Sequence, residues 1–517
     1  CPPDEPGPPG ADGRCRPHLG GLGGCPGTRL AAAPRWTRCR TTCREAFRTW
    51  RRSGRLTVRL LVITPHLQPD TAPTGVVVST IVDHLGGLGH DVHVITSLPW
   101  YADHRIADGW RGRPFRRGRH GAGTVVRLHP FPTDKANLVA RALGFIGFTG
   151  LATLAGLATR GPFDGVVVVS PPLTLGLAGW LVARRHRCPL VCNVQDVFPD
   201  VAIQVGAITS PRAIRFFRAL ERFTYRRSDA VTVLSDDLAA NVLAKLPAAR
   251  LTVASSPEAG SPTADLPADP PPAEPPAEHL RGGRPLQVAR RTRSPEVRVI
   301  PNFVDTDAIR PADRNTAYRT EHHLGDRTVV MYAGNLGHSQ SLDLLVGAAR
   351  RHLHRHDLVY VVNGGGVRAD ELRDAADDMS NLVVVGYQPA ERVPEVLATA
   401  DVHVVLLKAG LGASSVPSKA WSALAAGRPL IASIDGGTDV ARVLEDAGAG
   451  LAVPPDDLDA FVAAVERLAD DPGLRASMGA AGRRWAEESR SPASVAAAYA
   501  GLLEELAERR STLRRKG

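Results

Sequence analysis

Apolar residues fall along this chain in short unbroken runs, each closed by glycine, proline or a polar turn and followed by a stretch with helical spacing. In the first half the runs cover residues 60–64, 91–96, 163–169, 189–194 and 230–235; in the second they cover 328–332, 358–362, 382–385 and 402–407. Runs that do not alternate with polar residues predict strands buried on both faces, and strands separated by helices predict parallel sheets built from β-α-β units. Helices are expected over 76–85, closed by Gly86, Gly87 and Gly89, over 137–160, and later over 458–468 and 492–509. The pattern predicts an α/β chain with two Rossmann-like units.

Two stretches carry no such pattern. Residues 1–55 are rich in Pro, Gly and Arg, and 248–296 combine Pro, Ala and acidic residues with an arginine-rich piece. Neither can bury a core, so both are expected to be disordered. The domain plan is a tail at 1–55, a first unit at 56–247, an insert at 248–296, a second unit at 297–480, and a C-terminal helix with a basic tail at 481–517. The mostly apolar helix at 137–160 is read as packing on the sheet, with a membrane-surface role as the second reading.

Composition narrows the class. The 517 residues are 43% hydrophobic, enough for two or three domains with real cores. A formal charge of +10 and a pI near 9.6 favour acidic partners such as phosphates or anionic lipid. Five of the seven cysteines (Cys1, Cys15, Cys25, Cys39, Cys43) lie in the tail, leaving Cys188 and Cys192 in the patterned part. That is no disulfide framework, so a reducing cytoplasm is expected. A start at Cys1 without Met leaves open a fragment, a processed form or a mis-chosen start. No uncharged apolar stretch reaches membrane-spanning length, so no transmembrane helix is expected.

Candidate chemistry gathers at strand ends, where open parallel sheets present their ligand crevice. The run 328–332 turns through Ala333-Gly334-Asn335-Leu336-Gly337 and on to Gln340, and glycines there let the backbone approach an anion. Gly364, Gly365 and Gly366 follow the next run, and Gly386-Tyr387 the one after it. Val416-Pro417-Ser418-Lys419 precedes an alanine-rich helix, with Lys419 as the candidate charge. In the first half, Gln195, Asp196 and Asp200 follow a strand, and His66 and Gly75 lie in the loop after the first one. Asp200 as a helix-capping residue and His66 as a structural histidine are the plainer alternatives. No GxGxxG turn follows the first strand, which argues against dinucleotide binding.

Together these pieces resemble a retaining glycosyltransferase of the GT-B fold in family 4, nearest its bacterial surface-polysaccharide branch (colanic acid, capsule and O-antigen transferases). The segments that carry the resemblance are residues 300–305, 332–335, 363–366, 386–387, 416–419 and 425–429, with 195–200 similar to that branch's Asp-Leu-Trp-Pro-Glu type segment. The resemblance spans about 57–247 and 297–505. It implies two Rossmann-like domains facing a cleft, the last helix returning toward the first, with an acceptor half first and a nucleotide-sugar half second. It also implies transfer of a hexosyl or N-acetylhexosaminyl unit to a lipid-linked or glycan-precursor acceptor, and no metal or other cofactor. Asp196 and Asp200 are the catalytic candidates. Gly334, Asn335, Gly337, Gln340, Gly364, Gly365, Tyr387, Val416, Pro417, Ser418 and Lys419 are the donor-binding set, and His66 and Gly75 line the acceptor side. The implied site is cytoplasmic, with membrane-surface contact at the inner face and no nucleic-acid partner. Two departures stand out. Ser414 and Ser422 occupy positions where the family often carries glutamates, and the 334–340 loop has neither the Arg nor the Lys that many members use on the diphosphate, so Lys419, Lys408 or Arg428 must supply that charge. The rival readings are a nucleotide-sugar 2-epimerase of the same fold, a non-catalytic nucleotide-binding partner, and a basic nucleic-acid binder. The last is disfavoured by 5% aromatics and by charge that lies largely in tails.

Overall fold

The computed structural model describes residues 57–101, 104–132, 138–246, 249–252 and 295–516. The tail at 1–55, its five cysteines and most of the 248–296 insert lie outside the described residues.

The first unit runs β1 (Arg59–Ile63), α1 (Pro73–Gly87), β2 (Asp91–Ser97), β3 (Phe115–His120), β4 (Gly123–Leu128), α2 (Leu138–Ala158), β5 (Gly165–Ser170), α3 (Leu175–His186), β6 (Leu190–Val194), α4 (Asp200–Gln204), α5 (Pro211–Arg227), β7 (Ala230–Val233), α6 (Asp236–Ala244), β8 (Arg250–Thr252) and β9 (Glu296–Val299). Its strands form one nine-stranded sheet in the order β3-β4-β2-β1-β5-β6-β7-β9-β8, parallel except for the β3–β4 pair. The second unit runs α7 (Ala317–Glu321), β10 (Thr328–Asn335), α8 (Leu342–Arg351), β11 (Leu358–Gly365), α9 (Ala369–Asp377), β12 (Leu382–Val385), α10 (Val393–Thr399), β13 (Val402–Leu406), α11 (Lys419–Ala425), β14 (Leu430–Ser433), α12 (Asp439–Ala447), β15 (Gly450–Val453) and α13 (Leu458–Asp470), with α14 (Pro472–Ser489) packed against α11. The six strands are all parallel, in the order β12-β11-β10-β13-β14-β15.

The apolar runs became strands for the expected reason. Every residue of β5, β6, β7 and β13 is buried, because helices cover both faces of the sheets. In the first unit, one core cluster joins Leu61, Ile63 and Val168 to Phe148 and Ala152 of α2, Val182 of α3 and Tyr225 of α5. The opposite face joins Leu60, Val62 and Val92 to Val78 and Val82 of α1 and to Tyr499, Leu502 and Leu503 of α15 (Pro492–Lys516), the last helix. Each such side chain contributes about 1.5–3 kcal/mol by leaving water, so α15 is an integral part of the first unit's core.

Two features depart from the pattern. The hairpin β3–β4 was not expected, because β3 reads Phe-Arg-Arg-Gly-Arg-His and is exposed or half-exposed throughout. An edge strand needs only backbone pairing on one side, so hydrophobicity does not announce it. Residues 297–299, expected to open the second unit, lie in β9 and pair with β7 and β8 of the first sheet. The second unit therefore starts beyond this strand. Among the described residues, no helix is long and apolar enough to cross a membrane.

Both sheets have a switch point, where the chain stops building outward on one side and begins on the other. In the first it lies between β1 and β5; in the second, between β10 and β13. Ligand crevices form at the strand C-termini at such points. The loops after β1 and β5, and after β10 and β13, are therefore the places to look.

Candidate functional site

At the second switch point β10 ends in Gly334 and Asn335, paired with Gly364 and Gly365 of β11. Gly334 has φ +142°, outside the range of ordinary L-residues. Gly364 has no room for a side chain: a Cβ there would lie 1.9 Å from the Gly334 carbonyl oxygen. Its glycine is needed for two backbones to touch, rather than for a ligand. The loop after β10 is closed by its own side chain, because the Gln340 amide oxygen accepts the Gly337 N–H at 2.9 Å. Gln340 is thus spent on shaping the loop. Tyr387 donates its hydroxyl to the Gly365 carbonyl at 2.9 Å and is half exposed, with Tyr101 of the first unit close enough to help raise its pKa to about 12, after burial.

Lys419 is the group that gathers this site. It begins α11, and its ammonium sits 4.0 Å over the Tyr332 ring and donates to the Tyr332 hydroxyl. That hydroxyl in turn donates to the Asn335 carbonyl at 2.7 Å, which ties Lys419 to the glycine turn. A Cβ on Gly334 would approach the Lys419 Nζ at 3.1 Å. Burial pulls the Lys419 pKa down from 10.5 to about 7, and no carboxylate beside it offsets this. A half-buried ammonium with a lowered pKa and no acid beside it marks a candidate anion contact. Ser418, expected to cap α11, makes no side-chain capping bond. Arg428 donates to the carbonyls of Ala312 and Ala398 and serves the fold.

The two serines differ in setting. Ser414 is fully buried, and its hydroxyl has no hydrogen-bond partner among the described residues. Ser422 lies one turn after Lys419 on α11, on the same side of the helix.

Asp196 does not face the crevice freely. Its carboxylate accepts the Ser415 hydroxyl at 2.6 Å, its backbone bridges to Ser415, and the Val197 N–H donates to the Ser414 carbonyl at 2.8 Å. Burial raises its pKa, and the Ser415 bond partly offsets that. The residue joins the first unit to the loop that leads into Val416, Pro417 and Lys419. Gln204 and Asn241 reach the same loop at the carbonyls of Gly410 and Ala413. Asp200 is spent elsewhere. It is the first residue of α4, and Lys245 bonds both its carboxylate, at 2.7 Å, and that of Glu221, at 2.6 Å. Gln195 lies in a buried chain in which Asn302 donates to Gln195, Gln195 to Asn193, and Asn193 to the Tyr499 hydroxyl. Asp200, expected as a second catalytic candidate, thus shares the single Lys245 ammonium with Glu221 inside the first unit.

At the first switch point, His66 follows β1 and pairs with Asp70 at 2.7 Å. Asp70 is almost wholly buried and also accepts the Tyr101 N–H at 3.0 Å, so it fixes the imidazole firmly. His66 stacks against Trp100 at 5.7 Å and meets Tyr101 edge-on at 5.5 Å. Gly75 lets the first turn of α1 close on this loop, since a Cβ there would lie 3.1 Å from the His66 Cβ. Sequence reading missed Asp70, Trp100, Tyr101 and Tyr332. Asp70 could have been found by its position four residues after His66, between Pro69 and Pro73. Tyr332 opens the 332–335 segment that carries the resemblance, but its role under Lys419 could not be read there, because it looks like one more buried residue of a strand.

Asp305 closes a turn by accepting the N–H groups of Asp307 and Ala308. Among the described residues, no group of three or more His, Cys, Asp or Glu is placed to hold a metal ion.

Comparison with known proteins covers both halves. Residues 74–256 match the model of a glycosyl transferase 4-like domain, and 327–471 match that of glycosyl transferases group 1. Over 418 residues the chain is 22% identical to the putative colanic acid biosynthesis glycosyl transferase WcaI of Escherichia coli K12, covering 79% of this chain and 92% of that one. Among solved structures, sucrose-phosphate synthase from Thermosynechococcus elongatus aligns with a TM-score of 0.63 at 18% identity, over 87% of this chain and 99% of that one. Anabaena HepE in complex with UDP-glucose aligns with a TM-score of 0.56 at 13% identity, over 88% and 100%.

Proposed function

This chain belongs to the GT-B glycosyltransferases of family 4, and we propose that it moves a hexosyl or N-acetylhexosaminyl unit, with retention, from a nucleoside diphosphate sugar to a lipid-linked or polysaccharide-precursor hydroxyl. The observation that carries this reading is Lys419: a half-buried ammonium on Tyr332, beside the glycine turn at the second switch point, whose pKa desolvation lowers to about 7 with no acid beside it. In such a transfer the bond from the sugar C1 to the diphosphate oxygen breaks and a bond from C1 to the acceptor oxygen forms. The acceptor proton leaves on the departing phosphate. Negative charge grows on the diphosphate, and a cation already held in place and desolvated stabilises it without reorganising. Lys419 supplies that charge from the chain itself, and a glycine backbone lets the phosphates come close.

The first switch point is the acceptor side. His66, oriented by Asp70 and walled by Trp100 and Tyr101, offers a polar group against aromatic faces, a combination suited to a sugar ring. Asp196 positions the Lys419 loop through Ser415. The surface-polysaccharide assignment draws on the likeness to WcaI, whose printed role is colanic acid biosynthesis. The use of a UDP-type donor draws support from HepE, which binds UDP-glucose.

Thermal unfolding with UDP, GDP and ADP, followed by donor hydrolysis and transfer assays with the nucleotide that binds, tests the reading. Ligand at about 100 times its Kd adds about 2.7 kcal/mol to the folded state. A shift with one diphosphate that is lost in K419M supports the donor site. A shift that K419M leaves intact would overturn it. Release of a free epimerised sugar without an acceptor would favour the epimerase.

A further inference from the structure

One helical layer of the first unit has an outer face that nothing described covers. The inner faces of α2, α3 and α5 share one core with the sheet. Outward, α2 exposes Leu143 (63%), Ile146 (57%) and Leu154 (65%), spaced as a stripe along one side of the helix. On α3, Leu177 and Leu181 continue the exposed apolar surface. On α5, Phe216 is 63% exposed beside a stripe of arginines at Arg212, Arg215, Arg218 and Arg222.

The charge on this layer is one-signed. Neither α2 nor α3 contains an acidic residue. The single carboxylate of α5, Glu221, is buried and bonded to Lys245. None of the four stripe arginines has an acidic partner among the described residues. Trp180 of α3 ties the two halves together, meeting Phe223 of α5 at 5.3 Å, with Arg184 and Arg227 over its ring. The surface is therefore a continuous array of aliphatic tips and unpaired guanidinium groups.

We propose that this face docks on an anionic lipid bilayer, with the α2 and α3 aliphatics entering the headgroup boundary and the α5 arginines meeting lipid phosphates. Exposed leucines on a helix with no carboxylate fit a bilayer and not a nucleic acid, which would want stacking aromatics and hydrogen-bond donors along the stripe. The layer also faces the right way. Helices in a parallel sheet begin at the strand C-termini, so Leu143, Leu177 and Arg212 lie toward the crevice edge that holds His66. A bilayer here would bring a membrane-embedded acceptor to the acceptor-side loop. The docking face stands on its own exposure and charge and does not require the donor assignment.

Cosedimentation of the full chain with vesicles tests it, using equal parts phosphatidylglycerol and phosphatidylcholine against phosphatidylcholine alone, with nucleoside diphosphate thermal shifts measured in parallel. The mixed vesicles should bind at least about tenfold more tightly. L143Q/L154Q should lose about tenfold, and R215Q/R218Q about fivefold for each arginine removed, with added salt narrowing the second loss. Both variants change exposed side chains only and should keep the wild-type nucleotide shift. Equal or absent binding to the two vesicles would overturn the proposal. So would tight RNA binding, or a concentration-dependent dimer that either variant abolishes, where vesicle binding is unchanged by both. A missing nucleotide shift with vesicle binding intact would instead count against the donor site alone.

Discussion

The two switch points occupy equivalent places in two parallel sheets, yet they are built from opposite materials. The second is largely backbone at Gly334 and Gly337, with the Lys419 ammonium on Tyr332 and a second phenol, Tyr387, bonded to Gly365. The first is side chain: an imidazole fixed by a buried carboxylate and flanked by Trp100 and Tyr101. On the proposed function, a diphosphate is small and anionic and suits a loop stripped to backbone N–H groups and a cation, whereas a sugar hydroxyl is neutral and suits shape and directed hydrogen bonds. One topology would then serve two chemistries by what is left on or removed from its loops.

The sharpest way to break this contrast is at Lys419. K419M should lower kcat/KM by about a hundredfold to a thousandfold, the scale of losing one preorganised charge-stabilising group. The same variant should unfold at a higher temperature near neutral pH. The folded Lys419 titrates near 7 and the unfolded one near 10.5, so the unfolded chain binds the extra proton as pH drops between these values. Native Lys419 therefore costs stability at neutral pH, and methionine removes that cost. Activity and melting temperature moving in opposite directions would mark a functional strain, whereas both falling together would mean Lys419 is structural.

At the first switch point, D70N should lower transfer by about a hundredfold, the low end for a positioned acid–base group, while leaving nucleoside diphosphate affinity unchanged. Equal loss of donor affinity would merge the two sites into one. Steric limits extend the comparison. G364A should destabilise by about 3 kcal/mol, since its Cβ meets backbone at 1.9 Å, and G75A by about 1 kcal/mol, since its Cβ meets the His66 side chain at 3.1 Å. Denaturant melts read both.

Affinity for nucleoside diphosphate should weaken by up to about tenfold per unit as pH rises from about 6 to about 8, because free Lys419 loses its charge near 7. Titration calorimetry in two buffers should show proton uptake on binding, absent in K419M. The smallest effect is expected at Asp200. D200N should cost about 1 kcal/mol through its Lys245 bond and leave kcat unchanged. A large fall in kcat would return Asp200 to the catalytic set.

Much of this was written in the order of residues. The unbroken runs that became β5, β6 and β13 set the parallel sheets, because strands covered on both faces must be apolar throughout. The glycines after β10 and β11 and the Pro417-Ser418-Lys419 step marked the second crevice, because glycine and proline act on their own backbone and keep that meaning anywhere. What needed the tertiary structure were the partners. Asp196 and Asp200 stand four apart and look alike in sequence, but one meets Ser415 of the opposite unit and the other meets Lys245. Tyr332 became the seat of Lys419 only when the start of α11 reached the end of β10. Edge strand β3 formed from an arginine-rich segment, and β9 joined a sheet begun far earlier in the chain. Local backbone preference is a property of a few adjacent residues, and the sequence determines it directly. Charge pairing, burial and pKa depend on which distant groups arrive within a few ångströms, and that is settled only when the chain closes on itself.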